Sequence, residues 1–147
     1  MEGLRKIHFL NDNARRHNKS LGDATGLSNL GFHLIEVEPG RETTEMHVHY
    51  FEEECVYVLE GEAEATIGTQ THIVRAGDFI AYPAGGDAHS MRAIGETTLR
   101  CIVAGQRLDH DVADYPRRGK RLFRNTGQEW NMVDIDAIDT PSGGRKA

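Results

Sequence analysis

The stretch EMHVHYFEEECVYVLEG, Glu45 to Gly61, sets two histidines one residue apart, follows them with three consecutive glutamates and then runs apolar to a glycine. Charged side chains are rarely buried unless they are paired or bind a metal, yet these adjoin what reads as core. In a strand, residues two apart project from the same face, so His47 and His49 point together about 6.7 Å apart along the backbone. Two imidazoles so placed can converge on one ion. A tight turn after Tyr50-Phe51 brings Glu54 back beside them, and a carboxylate there completes a mixed nitrogen and oxygen site for a borderline divalent metal. Alternation alone does not choose the carboxylate. Glu54 shares parity with Val56 and Val58, Glu53 shares it with Cys55, Tyr57 and Leu59, and both faces are apolar.

A second stretch, GDFIAYPAGGDAHSM, begins at Gly77. Gly77-Asp78 reads as a turn, a buried strand follows, and Pro83 with Gly85-Gly86 makes another turn before His89 opens the next strand. In an antiparallel barrel a strand some forty residues downstream can lie beside the first pair, which makes His89 a candidate third imidazole.

Around these two stretches the dominant period is two. Leu30 to Val37 reads as a strand closed by Pro39-Gly40, and EMHVHYF, CVYVLEG, EAEATIG, THIVRAGD, FIAYPAGG, AHSMRAI and TTLRCIVAG follow with hairpin-length connections. Eight short strands with little helix imply an antiparallel sandwich or barrel. The expected organisation is a polar N-terminal arm over 1–29, a β-barrel core over 30–105, a C-terminal extension over 106–140 and a frayed tail over 141–147. Residues 11–29 hold almost nothing apolar and are expected as an exposed loop. The extension carries Arg117, Arg118, Lys120, Arg121 and Arg124, and its Trp130 is expected to pack back on the barrel or on a second subunit.

The chain has 147 residues, a length that suits one domain, and a formal net charge of −6. That charge argues against general nucleic-acid binding and against attachment to anionic membranes. No apolar run approaches the roughly 20 residues of a membrane span, and the N-terminus shows no signal-peptide pattern, so a cytoplasmic protein is expected. Cys55 and Cys101 lie in apolar runs and read as reduced core thiols. His72 reads as a surface or satisfied core histidine, and His8, His17, His33 and His110 have no partner at ligand spacing. Serine-hydrolase, nucleotide-triphosphatase and dinucleotide-binding signatures are absent.

Taken together, the two histidine stretches resemble the paired motifs of the cupin superfamily over roughly residues 30 to 105. In the first, Gly40 is followed by six residues, His47, Val48, His49, four residues, Glu54, six residues and Gly61. In the second, Gly77, Pro83 and Gly85 match in place, His89 comes one residue late and Ala93 stands at the usual Asn position. The resemblance implies an all-β fold, a small antiparallel β-barrel of the double-stranded β-helix or jelly-roll type. It also implies a divalent metal held by His47, His49, Glu54 and His89. The spacing to Gly61 favours Glu54 as the carboxylate, with Glu52 and Glu53 as rim groups.

Three neutral imidazoles and one carboxylate leave a dication formally near +1, with open positions that favour an oxyanionic small molecule. Two classes follow. One is a metal-dependent enzyme on a small anionic metabolite, of the oxygenase, decarboxylase or lyase, or isomerase type. The other is a non-catalytic cupin that binds or senses a metal or small molecule. No DNA-binding segment accompanies the barrel, which tips the reading toward an enzyme. Zn, Mn, Fe and Ni all suit such ligands. Tyr57, Tyr82 and Asp87 are the nearby groups able to move a proton, and each has a structural reading as well. A two-fold homodimer is expected, because open barrels leave edge strands to cover. The basic cluster of the extension is then expected to meet acidic surface, the partner's included.

Overall fold

The alternation that marks the middle of the chain becomes strands in the computed structural model, which describes residues 1–144. The elements in chain order are β1 (Leu4–His8), β2 (Asn11–Ser20), α1 (Leu21–Thr25), β3 (Leu30–Val37), β4 (Val48–His49), β5 (Glu54–Glu60) and β6 (Glu62–Ile67). They continue with β7 (Gln70–Arg75), β8 (Phe79–Tyr82), β9 (His89–Ile94), β10 (Leu99–Gln106), β11 (His110–Tyr115), β12 (Lys120–Asn125) and β13 (Asn131–Asp134). Three antiparallel sheets result, in the orders β1-β2-β3-β10-β5-β8, β13-β12-β11-β4 and β7-β6-β9. The all-β jelly-roll expectation holds.

Inward positions follow the period of two. Val56 and Val58 of β5 are 3% and 0% exposed, whereas Tyr57 and Leu59 between them are 45% and 42% exposed. Ile35, Val37, Leu99 and Cys101 join that layer from the neighbouring strands. Each fully buried aliphatic side chain contributes about 1.5–3 kcal/mol, so this layer is a main source of the fold's stability. The β5–β6 turn depends on Gly61, whose φ of 81° is left-handed. A Cβ there would sit 2.9 Å from the Leu99 Cα, so both conformation and space require glycine.

The two ends depart from expectation. Residues 11–20 are not an exposed loop. They form β2, which pairs with β1 and β3 and extends the large sheet. Two of its inward side chains are polar: Asn11 donates to Glu42 at 2.7 Å, and the Asn18 amide nitrogen lies 3.2 Å from Nδ1 of His33 while its Oδ1 has no partner among the described residues. In the C-terminal segment Ala113, Tyr115 and Leu122 form a small apolar cluster with Leu10 against it, and β11 pairs with β4. Trp130 lies outside that cluster. It is 61% exposed, with the Arg124 guanidinium 5.8 Å from its ring.

The basic cluster meets acidic side chains within the chain itself. Arg117, Arg118, Lys120, Arg121 and Arg124 pair with Glu42, Glu45, Asp134, Asp114 and Glu52 of the same chain. Cys55 and Cys101 are free thiols. No helix among the described residues is long and apolar enough to cross a membrane. Residues 145–147 of the tail lie outside the described residues.

Candidate metal centre

Backbone pairing assembles the site. His47 and His89 form an isolated antiparallel bridge in which each N–H donates to the other's carbonyl, at 3.1 and 2.9 Å. Their ring centroids are 4.7 Å apart, and the His49 ring is 4.8 Å from His47. Glu54 opens β5 opposite Tyr82 of β8, and its Oε1 lies 3.8 Å from Nε2 of His89. Ligand atoms of His47, His49 and Glu54 all fall within 4.8 Å of one another. The extra residue before His89 is absorbed in the preceding loop. There Gly86 N–H donates to Pro83, and Gly85, at a φ of 68°, donates to the His49 carbonyl.

Among the three glutamates, the fold separates what alternation could not. Glu54 shares the inward face of Val56 and Val58, while Glu53 is exposed. Glu52 is not a rim group: it is 5% exposed, accepts from the Leu108 N–H at 2.9 Å and pairs with Arg124.

Each imidazole is oriented through Nδ1. His47 Nδ1 meets the Glu45 carbonyl at 2.9 Å, His89 Nδ1 the Asp87 carbonyl at 3.2 Å, and His49 Nδ1 the Asp111 carboxylate at 2.5 Å. These partners are all acceptors, so the proton belongs on Nδ1 and the Nε2 lone pair is left free, the arrangement that metal-ligating histidines use. Nε2 of His89 is buried and without a hydrogen-bond partner among the described residues. A buried polar atom in that state is costly unless something occupies it. The donor set fits a divalent cation, with His47, His49, Glu54 and His89 as the residues that would hold it.

Electrostatics agree with an imidazole–carboxylate centre. Burial pushes His47 down to about 4, reinforced by His49 and His89 and opposed by Glu54. Burial pushes His49 the same way, but Asp111, Glu54 and Glu52 outweigh it and its pKa is raised. Burial would raise Glu54, yet the imidazoles of His89, His47 and His49 bring it down to about 2. At neutral pH the carboxylate is ionised and His47 is neutral.

A cavity of about 260 Å³ opens on these residues. Tyr82 lines it, stacked on His89 with ring centroids 3.5 Å apart and planes 3° from parallel. The Tyr82 hydroxyl is buried without a partner among the described residues, and burial raises its pKa. Tyr57 is exposed on the other face of β5, and Asp87 is exposed in the loop. His72 is exposed, His17 pairs with Glu36 and His110 lies 2.9 Å from Asn125. His8 and His33, dismissed on spacing, line the cavity together with Arg16.

Asp111 was also missed. It is 3% exposed, accepts from the Phe51 N–H at 3.2 Å and holds His49. The signal for it was a carboxylate in phase with Ala113 and Tyr115 on the buried face of HDVADY.

The cupin-domain family model matches residues 33–105. No curated protein matches the chain. A solved structure from Acidithiobacillus ferrooxidans, named provisionally as a sugar phosphate isomerase, is 51% identical over 97% of this chain and 90% of its own, with a TM-score of 0.93. A sugar phosphate isomerase of the cupin superfamily from Silicibacter pomeroyi is 26% identical over 96% and 90%, with a TM-score of 0.82. A Thermotoga maritima protein described as a predicted oxalate decarboxylase shares the fold at 22% identity over 74% of this chain and 94% of its own, with a TM-score of 0.62. On motif, fold and near full-length similarity, the chain belongs to the cupin superfamily.

Proposed function

We propose that the protein is a divalent-metal-dependent isomerase of a small phosphorylated sugar, with His47, His49, Glu54 and His89 as the metal ligands. The observation that carries this reading is the set of imidazoles held through Nδ1, with the buried Nε2 of His89 left unpartnered beside Glu54. The choice of isomerase over oxygenase or decarboxylase rests on the names of the relatives from Acidithiobacillus and Silicibacter, the first of them 51% identical.

A bound cation of the Zn, Mn, Fe or Ni kind would supply Lewis-acid polarisation of a substrate oxygen. The chain's own residues do the rest. Glu45, Asp87 and Asp111 fix the ring planes and tautomers. Tyr82 stays protonated at neutral pH, because burial raises its pKa, and so offers a hydrogen bond rather than a base. The walls limit the ligand to a small metabolite: about 260 Å³ is below the roughly 300–1,000 Å³ typical of drug-sized ligands.

The test is elemental analysis of the purified protein, with aldose and ketose phosphates incubated and followed by NMR beside an oxygen electrode. One metal per chain with interconversion and no oxygen uptake is the expected result. Metal and ligand binding without turnover would replace the enzyme by a binding or sensing cupin.

We further propose a cytoplasmic homodimer. Strand β1 is an edge of the large sheet, with Leu4, Ile7 and the following Phe9 more than half exposed, and a second copy is the commonest cover for such an edge. The free thiols suit a reducing compartment. Light scattering should give twice the chain mass of 16.4 kDa, and a single-chain mass ends the dimer.

A further inference from the structure

The cavity holds a cation of its own. Arg16 of β2 lines it beside the metal-ligand residues. Among the described residues Arg16 takes part in no ion pair, although its neighbours in charge do: Arg118, Arg121 and Arg124 each have a carboxylate. Its guanidinium donates instead to the Thr43 carbonyl at 3.2 Å. A guanidinium has five N–H donors and stays charged at any ordinary pH, so most of its capacity is uncommitted. A partly buried cation without a counter-ion is unfavourable, because the desolvation is not offset by an opposite charge. Burial does pull Arg16 below the usual arginine value, with Glu54 partly offsetting it.

The position of Arg16 is built rather than accidental. Residues 13–14 of β2 are tied to Glu42, through the Glu42 N–H to the Asn13 carbonyl at 3.1 Å and a parallel bridge between Ala14 and Glu42. Asn11 donates to the Glu42 carboxylate at 2.7 Å. Those contacts clamp β2 to the segment that leads into His47. A second polar atom on the same cavity also lacks a partner among the described residues: the hydroxyl of Tyr82, a residue only 6% exposed. His33 and Thr44 line the wall as further hydrogen-bonding groups.

We infer that Arg16 is the phosphate-binding residue of the cavity, gripping the phosphate monoester of a ligand whose sugar oxygens lie toward the histidine–glutamate centre. A fork of N–H donors with nearby hydroxyl and imidazole groups matches the several oxygens of a phosphate better than the two of a carboxylate. This inference rests on the sugar phosphate reading and assigns its anionic end to the N-terminal hairpin, outside the residues that carry the cupin motifs.

The experiment uses the full chain, stripped of metal with a chelator so that phosphate cannot bind the ion, and titrates inorganic phosphate by calorimetry. Wild type should bind it, and Arg16→Gln should bind it roughly 10- to 100-fold more weakly, the range expected for losing one charge-assisted contact. Arg16→Met is carried in parallel in case the glutamine variant misfolds, with circular dichroism as the check. On manganese-loaded protein, glucose 6-phosphate should outcompete glucose in wild type, and the variants should lose that preference.

Equal phosphate affinity in wild type and a folded variant overturns the inference, as does a metal-free wild type that binds none. The two readings separate cleanly. Phosphate binding through Arg16 without turnover of any sugar phosphate leaves the subsite standing and removes the isomerase. Turnover with an unchanged KM in Arg16→Gln removes the subsite and leaves the isomerase.

Discussion

His49 belongs to two clusters at once. In one it is grouped with His47 and Glu54, which His89 adjoins; in the other, its Nδ1 meets Asp111 at 2.5 Å and Glu52 at 4.0 Å. Both groups are of metal-ligand type and both are largely buried, yet they are finished differently. The Glu52–Asp111 group already contains a cation, because Arg124 bonds Glu52 and lies 3.9 Å from Asp111. It also takes up backbone N–H groups from Phe51, Glu52 and Leu108. The His47 group has Nδ1 atoms satisfied and Nε2 of His89 left over. Carboxylates balanced by an internal arginine build structure; imidazoles with a spare lone pair build a site.

The largest expected effect comes from removing the open cluster. The double variant His47→Ala, His49→Ala should lose nearly all bound metal by elemental analysis, while the β-rich circular dichroism persists because apolar burial holds the sheets. Stoichiometric metal in that variant would remove the distinction between the clusters.

Next comes the link between them. In Asp111→Asn the amide can donate to Nδ1 of His49, which moves the ring proton to Nε2 and takes away the lone pair. Metal affinity measured against a competing chelator should fall about 10- to 100-fold. An unchanged affinity would reduce Asp111 to scaffold.

The smallest effect is on the pH dependence of the metal-free protein. The His47 value of about 4 lies below the free imidazole value, ~6.5. As pH falls, the unfolded chain therefore takes up that proton first. The stability this group allows above pH 6.5 is lost between there and about pH 4, by at most about 3 kcal/mol. His49 has the opposite sign: its raised value adds stability below pH 6.5 that disappears as pH rises through its folded value. Imidazole proton NMR should show His47 titrating well below His49. Coincident titration near 6.5 would mean that Asp111 and burial do not divide the pair.

What could be read from the sequence followed from how each segment is buried. Strands β3, β5, β6 and β9 alternate over an apolar layer, so period and turn residues reveal them, and Leu30–Val37 matches to the residue. The candidate metal ligands stand out because HVH sits against that layer. Strand β2 was invisible for the opposite reason. NDNARRHNKS has polar groups on its inward face, since part of that face borders a cavity and a neighbouring carboxylate rather than hydrocarbon. Strand β4 is two residues long, too short to show a period. Asp111 and Arg16 act across 62 and 27 residues of sequence, to His49 and Thr43, and no local pattern encodes such a pairing. The basic cluster was legible as charge but not as pairs, because its acidic partners are scattered from Glu42 to Asp134.

Trp130, the only tryptophan of the chain, stands at the rim of the cavity, 61% exposed. The protein therefore carries a single built-in fluorophore beside its site, with no second indole to dilute the signal. A ligand that fills the cavity displaces water from one edge of the indole and alters the field of the Arg124 guanidinium 5.8 Å from the ring. Emission colour and quenching by dissolved iodide thus become a label-free reading of occupancy, insensitive to whether any chemistry follows.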